Sequence, residues 1–464
     1  MKNNTVMRNE LLSIAESAFS ELGRLGVDGA ELSVSRGRMD EFNIDAGEFS
    51  LLRTTFNSAL SVRVIAGGAK GAAVTNSLDP EAVAKALSQA ADAAKSSDPD
   101  DAEYIADCIG EHKFYIGGCE QSGGEYGDER SSGCDSGYDR KYDRECDRDG
   151  LYGRLREFMD GCAIQYPKIQ LFQLISRFSS SSALYANTNG TRVYTDSAAY
   201  RHVVDICARD GDRVSSFNGF GFAEGCLGSP FLDRSEVRRL LSETERQIDT
   251  APVGGKFVGT ILLSPDCFAE MLFSIIDNCV TDTPLIAGSS PWIGKLGGRV
   301  ADERLDISLD PLDPRIVCGA RITGDGHLTR RQDIIRGGVL TGWALSQYGA
   351  KKTGLERAGN ISGNLIVGAG DKSFEELVSG IKRGLFINRF SGGAPAKNGD
   401  FSGIAKNSFL ISDGKIAGAV SETMVSGNLL DMIQNLVGLG NEAVCDGGCA
   451  VPFAAFDGIT ISGK

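Results

Sequence analysis

Histidine is scarce in this sequence. His112, His202 and His327 are the three present in 464 residues, and none stands in an H-x-x-x-H or H-E-x-x-H arrangement. A zinc site resting on two imidazoles of one helix is therefore excluded, and any general-base role for imidazole is confined to three separated positions. Long apolar runs are missing too: none approaches the ~20 residues that a helix needs to span a bilayer. The start, Met1-Lys2-Asn3-Asn4-Thr5, leads into a polar helical pattern without the apolar stretch of an export signal. These absences point to a cytoplasmic protein with no membrane partner. Positive charge is also in short supply, with 48 basic against 62 acidic side chains and a net charge of -14. Such a field repels phosphate, so nucleic acid is not an expected ligand. No G-x-x-x-x-G-K-[ST] loop occurs to cradle a nucleotide.

What is present is ordinary globular usage, 41% apolar and 24% charged, in a chain long enough for two cores. Twelve cysteines are scattered through it without an export signal, which favours free thiols over a disulfide framework. Leu11, Ala15, Ala18, Leu22 and Leu25 recur at helical spacing, and Val83, Leu87, Ala90, Ala91 and Ala94 do so behind the Asp79-Pro80 start signal. Between them, residues 30–35, 42–44, 59–65 and 71–75 alternate as short antiparallel strands. Strands are likewise predicted at 169–176, 182–187, 191–195 and 202–208, with Asn189-Gly190 as a hairpin turn. Ser235 is the predicted cap of a helix carrying Val237, Leu240, Leu241 and Ile248. The expected fold class is α+β, with an N-terminal domain over residues 1–250 and a second domain, rich in strands and glycine turns, over 251–464.

Residues 117–149 contain no Leu, Ile, Val or Phe, and ten acidic residues face five basic ones. A stretch of this composition buries too little apolar surface to offset its ordering entropy, so it reads as a disordered or weakly ordered insertion. Cys119, Cys134 and Cys146 lie in it at spacings that match no zinc module.

Several short patterns imitate catalytic signatures without their companions. Ser379-Gly380-Ile381-Lys382 has S-x-x-K spacing, but Ser373 and Glu376 form a capping box for an amphipathic helix there. Gly438-Leu439-Gly440-Asn441-Glu442-Ala443 imitates a dinucleotide fingerprint without the following helix. His327 reads as a turn residue. Cys445 and Cys449, with three residues between them on a glycine-rich loop, read as free thiols for want of further ligands nearby.

The most distinctive element is Gly392-Gly393-Ala394-Pro395-Ala396-Lys397-Asn398-Gly399-Asp400-Phe401-Ser402-Gly403, followed by Phe409-Leu410-Ile411-Ser412-Asp413-Gly414-Lys415-Ile416. This resembles the signature of the TldD/PmbA peptidase family, an N-G-D-F-S-G element before a hairpin with a D-G turn. Similarity extends to Thr329-Arg330-Arg331, Gly337-Gly338-Val339-Leu340-Thr341-Gly342-Trp343, Gly359-Asn360, and Ser61-Val62-Arg63-Val64-Ile65 with Gly71-Ala72-Ala73-Val74-Thr75-Asn76. The resemblance implies an α/β N-terminal domain, a β-rich C-terminal domain, dimer formation, and a cytosolic peptidase assembly acting on unfolded peptides.

In the zinc-bearing branch of that family an H-E-x-x-x-H helix follows a strand and a proline turn. Thr260-Ile261-Leu262-Leu263-Ser264-Pro265 is similar to that approach, and the six corresponding positions read Phe273-Ser274-Ile275-Ile276-Asp277-Asn278. Phe273 offers no ligand, Ser274 no carboxylate base, and Asn278 alone is a poor substitute. Asp266, Glu270 and Asp277 remain as carboxylates suited to a weak hard-cation site. The resemblance is thus to the PmbA (TldE)-like branch. It implies no cofactor in this chain and zinc on a TldD-like partner subunit, with self-association as the other option. A non-catalytic peptide-binding or regulatory homodimer and a hydrolase with an unidentified site are the alternatives. Asn398, Gly399, Asp400 and Ser402 are the candidate peptide-channel or interface residues, being polar groups on a glycine-rich loop.

Overall fold

Apolar and polar residues alternate along two long strands, Gly29–Asp45 and Glu48–Ala66, which pair as a hairpin and open the first of two large sheets. The computed structural model describes residues 4–120, 142–143 and 145–463. From edge to edge the first sheet runs Asn218–Glu224, Arg192–Asp210, Ile169–Asn187, Gly29–Asp45, Glu48–Ala66 and Ala69–Thr75, each antiparallel to its neighbour. Four helices cover one face. α1 (Asn4–Arg24) and α2 (Pro80–Lys95) bury Leu11, Leu22, Leu87 and Ala90 on Leu32, Val34, Leu60 and Val62. α3 (Arg148–Gln165) and α4 (Ser235–Arg246) pack Leu155, Phe158 and Leu241 on Phe42, Ile44, Leu174 and Val204. The even-numbered residues of Gly29–Asp45 serve both groups because side chains alternate with a period of two. α2 lies so close to the Ala69–Thr75 strand that a Cβ on Gly71 would stand 2.0 Å from the Ala90 carbonyl oxygen.

Three pairs of predicted strands are single strands. Residues 30–35 with 42–44, 169–176 with 182–187, and 191–195 with 202–208 join as Gly29–Asp45, Ile169–Asn187 and Arg192–Asp210. The cause is a polar seam between the two helix pairs. Arg38 bonds the buried Asp40 at 3.0 Å, Thr54 donates to Asp40 at 2.6 Å, and Arg148 closes on the same carboxylate. Arg8 and Ser182 meet Asp196 at 3.3 and 2.5 Å. The hydrophobic alternation lapses there, but the backbone ladder continues because these side chains pair with one another across the seam.

The predicted 117–149 insertion needs correction at both ends. Glu111–Gly117 pairs in parallel with Arg192–Asp210, Cys119–Glu120 pairs with Tyr142–Asp143, and α3 starts at Arg148. Asp147 caps that helix, its Oδ1 accepting the Gly150 amide at 2.8 Å. Backbone pairing and a cap order these ends where apolar burial cannot. The remainder of that expectation falls on residues 121–141 and 144, outside the described residues. Two smaller corrections concern Ser235, which is the first helical residue behind an N-cap at Arg234, and Cys226, which is disulfide-bonded. Nine other cysteines, Cys445 and Cys449 among them, are free.

Among the described residues the first sheet ends at Glu224 and the second begins at Thr250. In the second, Gly255–Leu263 lies between Arg383–Ile387, to which it is parallel, and Ala450–Gly463, to which it is antiparallel. Its core gathers Ile261, Phe268, Leu272, Ile276, Trp292, Trp343 and Phe456. The two domains are tied by polar contacts. The Ala223 amide donates to the Asp446 carbonyl at 2.7 Å, and Arg239 of α4 reaches the Asn388 side-chain oxygen at 3.2 Å. Tyr104 meets His327 at 2.7 Å. Among the described residues no helix is long and apolar enough to cross a membrane.

Candidate functional site

A helix launched from the centre of the second sheet forms one wall of the site. α5 (Pro265–Cys279) follows the Gly255–Leu263 strand, with Pro265 in its first turn and Ser264 as its N-cap. The Ser264 hydroxyl accepts the Cys267 amide at 3.3 Å and donates to the Asn388 carbonyl at 2.8 Å, while its amide donates to the Ile387 carbonyl. The helix is thereby fixed to the strand that leads into the opposite wall. Cys267, Phe268, Met271, Leu272, Ile275 and Ile276 face the core, as their helical spacing requires.

The opposite wall is the hairpin of Arg389–Gly392 and Asp400–Lys406. Its conformation explains the N-G-D-F-S-G element residue by residue. Asn398 accepts the Asp400 amide at 3.2 Å through its side chain, and Gly399 takes φ +93°, which favours glycine. Phe401 is buried and meets Phe390 edge to face at 5.7 Å between ring centres. A Cβ on Gly403 would come within 2.4 Å of that Phe390 ring, so glycine lets the ring lie against the hairpin. The Asp400 carboxylate receives hydrogen bonds from Asn428 at 2.9 Å and Asn398 at 2.8 Å, which hold its pKa below the usual range. Asn428 also donates to the Asn398 carbonyl at 2.9 Å and caps the short helix Leu429–Met432. Asn398 and Asp400 therefore brace the hairpin turn by bonding each other, and like Ser402 they are exposed.

Between the walls lies a cleft of about 330 Å³, lined by Glu270, Met271 and Ser274 of α5, residues 390–395, Phe401 and Leu429. Of residues 273–278, expected to stand in place of a zinc helix, Ser274 alone lines the cleft, its hydroxyl donating to the Glu270 carbonyl at 3.2 Å. Phe273 packs against the core of the second domain, and Asn278 is half-buried at the far end of the helix. Glu270 and Asp266 are one turn apart and reach solvent, yet dense protein surrounds them. Burial and the Asp446 carboxylate push the Asp266 carboxyl above its usual range, against Arg239 and Arg389. Burial does the same to Glu270, offset in part by Arg389. Phe390, Ser391 and a role for Asp446 escaped the sequence reading, whereas Gly392 to Pro395 open the recognised element. The strand that holds Phe390 and Ser391 is too short to alternate visibly.

The site does not fit zinc. No three His, Cys, Asp or Glu side chains among the described residues come together as a ligand set, and the histidines are engaged elsewhere. His202 is buried between Ser176, which meets its Nδ1 at 2.6 Å, and Glu224, 3.3 Å from its Nε2. Burial holds its pKa below the ordinary value. His112 contacts the Ile109 carbonyl, and His327 sits in the Thr323 turn against Tyr104. The Cys445 thiol donates to the Arg315 carbonyl at 3.3 Å and accepts the Gly447 amide, and burial pushes Cys449 to about 11.

Comparison with known proteins agrees with this architecture. Residues 30–94 match domain 1 of the PmbA/TldA metallopeptidases, and residues 255–463 match their C-terminal domain. The Escherichia coli O157:H7 metalloprotease PmbA is 25% identical over 444 residues, covering 94% of this chain and 92% of its own. A Methanothermobacter thermautotrophicus metalloprotease is 27% identical over 281 residues, 56% of this chain and 60% of its own. The crystal structure of TldE from Thermococcus kodakarensis shares the fold, with a TM-score of 0.81 at 21% identity over 97% of this chain and 100% of that one. Fold and matches define a two-domain α+β protein of the metallopeptidase class. The chain belongs to the PmbA/TldD metallopeptidase family.

Proposed function

We propose that this chain is the zinc-free, PmbA/TldE-type subunit of a cytoplasmic TldD/TldE-type peptidase assembly that degrades or processes unfolded peptides. A TldD-like partner supplies the zinc and the water-activating glutamate, and this chain contributes part of the dimer and of the peptide cavity. The observation that carries the reading is α5 itself. The helix stands behind the strand and proline turn expected of the zinc helix, with Phe273 packed into the core and Ser274 where the carboxylate base would be. The near full-length likeness to a PmbA metalloprotease supports the branch. Extended peptides suit the strand edges of the second domain, where main-chain hydrogen bonds recognise backbone independently of sequence.

The test is a peptidase assay on an unfolded casein substrate, with the purified chain alone, with a TldD-like chain from the same genome, and with both. Hydrolysis that requires the zinc-bearing chain and rises when this one is added is expected. Chelator-sensitive hydrolysis by this chain alone overturns the reading. A stable self-dimer that binds peptide and ignores the zinc-bearing chain replaces it with the regulatory alternative.

A further inference from the structure

The cleft beside α5 has a ligand chemistry of its own. At about 330 Å³ it lies at the low end of small-ligand sites, about 300–1,000 Å³, large enough for one or two amino-acid residues. Met271, Phe390, Phe401 and Leu429 supply its apolar part, while polar atoms make up rather more than half of its lining. Glu270 is the charged group in its lining, and its carboxylate makes no hydrogen bond or ion pair with any described residue, unlike those of Glu243 and Asp325, each paired with an arginine. Among the described residues the Arg389–Gly392 strand in its wall has one strand partner, Asp400–Lys406; on the side of α5 its Phe390 amide turns to the buried Cys267 thiol, and Ser391, Gly392 and Gly393 line the cleft beyond it. Gly393 leaves open space, with no atom within 4 Å of where its Cβ would stand.

We propose that this cleft binds the ammonium-bearing part of a short extended peptide. The ammonium pairs with Glu270, the adjoining apolar side chain lies among Met271, Phe390, Phe401 and Leu429, and the peptide backbone passes along residues 391–393. A carboxylate is disfavoured beside Glu270 and Asp266 one turn away, with Arg389 offsetting part of their charge. The choice of a peptide rests on the peptide-handling role proposed above. The position that corresponds to the family's zinc helix is then a recognition pocket in this chain.

Titration calorimetry on the intact chain, without partner or hydrolysis, tests this with Leu-Gly-Gly amide. The expected result is one site per chain, weakened at least about tenfold by N-acetylation of the peptide and by Glu270→Gln, the scale of a lost charge-assisted hydrogen bond. Gly393→Val, which fills the open side, is expected to remove binding without altering the circular dichroism or melting temperature. Tight binding of N-acetyl-Gly-Lys-Gly amide keeps the ammonium site and assigns it to a lysine side chain. Equal binding of the free and acetylated leucine peptides, full binding by the Gly393→Val protein, or no binding of either amine overturns the proposal. Because the isotherm needs no zinc-bearing chain, a failure of the assembly reading leaves it unchanged and the two failures are told apart.

Discussion

Replacing Asp325 with asparagine is expected to weaken the second domain by about 2 kcal/mol at pH 7 and by progressively less as the pH falls toward 2. Asp325 holds the turn that docks on the first domain. Its Oδ1 accepts from Arg357 at 2.8 Å and from Thr323 at 2.6 Å, and its Oδ2 accepts the Gln347 amide at 2.8 Å and Arg357 Nε at 3.2 Å. Burial pushes the carboxyl up, but these donors outweigh it and bring the pKa from 3.8 to about 2. A depression of nearly two pH units, at about 1.4 kcal/mol per unit, sets the magnitude. A carboxyl depressed in the folded state stabilises above its unfolded pKa and loses that contribution as the pH falls through the folded one. The window is therefore from about pH 4 down to about pH 2. Trp292 and Trp343 both lie in the core of the second domain, so their fluorescence in a urea titration reports that domain. Measured at pH 7, 5, 4 and 3 at fixed ionic strength, the gap between wild type and Asp325→Asn is expected to hold to pH 5 and then narrow. A gap that stays constant to pH 3, or is absent at pH 7, refutes the reasoning. Asp325→Ala should cost more, about 3–5 kcal/mol, because it leaves the Arg357 guanidinium buried without its partner.

Two further substitutions probe the site. Writing the zinc-branch pattern into α5 at the positions proposed for it, by Phe273→His, Ser274→Glu and Asn278→His, places two imidazoles there but no third ligand, since Cys445 is tied to Arg315 and Gly447. Well under one zinc per chain by mass spectrometry, no hydrolysis and a lower melting temperature are expected, and one firmly bound zinc with activity contradicts this account. Asp400→Ala removes the acceptor that joins Asn398 to Asn428. Amide exchange across residues 390–403 should quicken while the global melting temperature barely moves, and unchanged exchange refutes the bracing role.

Legibility of the fold followed the physics of each element. α1 and α2 were readable because their apolar stripes recur every three to four residues, and Ser373 with Glu376 because a capping box is local, its two bonds forming within one turn. The long strands were not readable whole. Arg38 and Asp40 are polar in sequence and buried together in space, and residues 179–182 form a serine run that remains a strand because its neighbours on both sides supply the ladder. The recognised loop was visible for its glycines, but Asn428, which braces it, lies 28 residues beyond Asp400.

The chain's chemistry draws the same division. That zinc has no imidazole pair on α5 was settled by residue identity, since no folding turns Phe273 or Asn278 into a histidine. So too were the family motif and the acidic balance. The cleft was not settled that way. Glu270 and Phe390 are 120 positions apart, and they meet because parallel pairing of Gly255–Leu263 with Arg383–Ile387 sends α5 and the following hairpin out side by side. Nothing in the residue order announces a non-local pairing, so a lone carboxylate on an amphipathic helix became the charged wall of a pocket through the sheet alone.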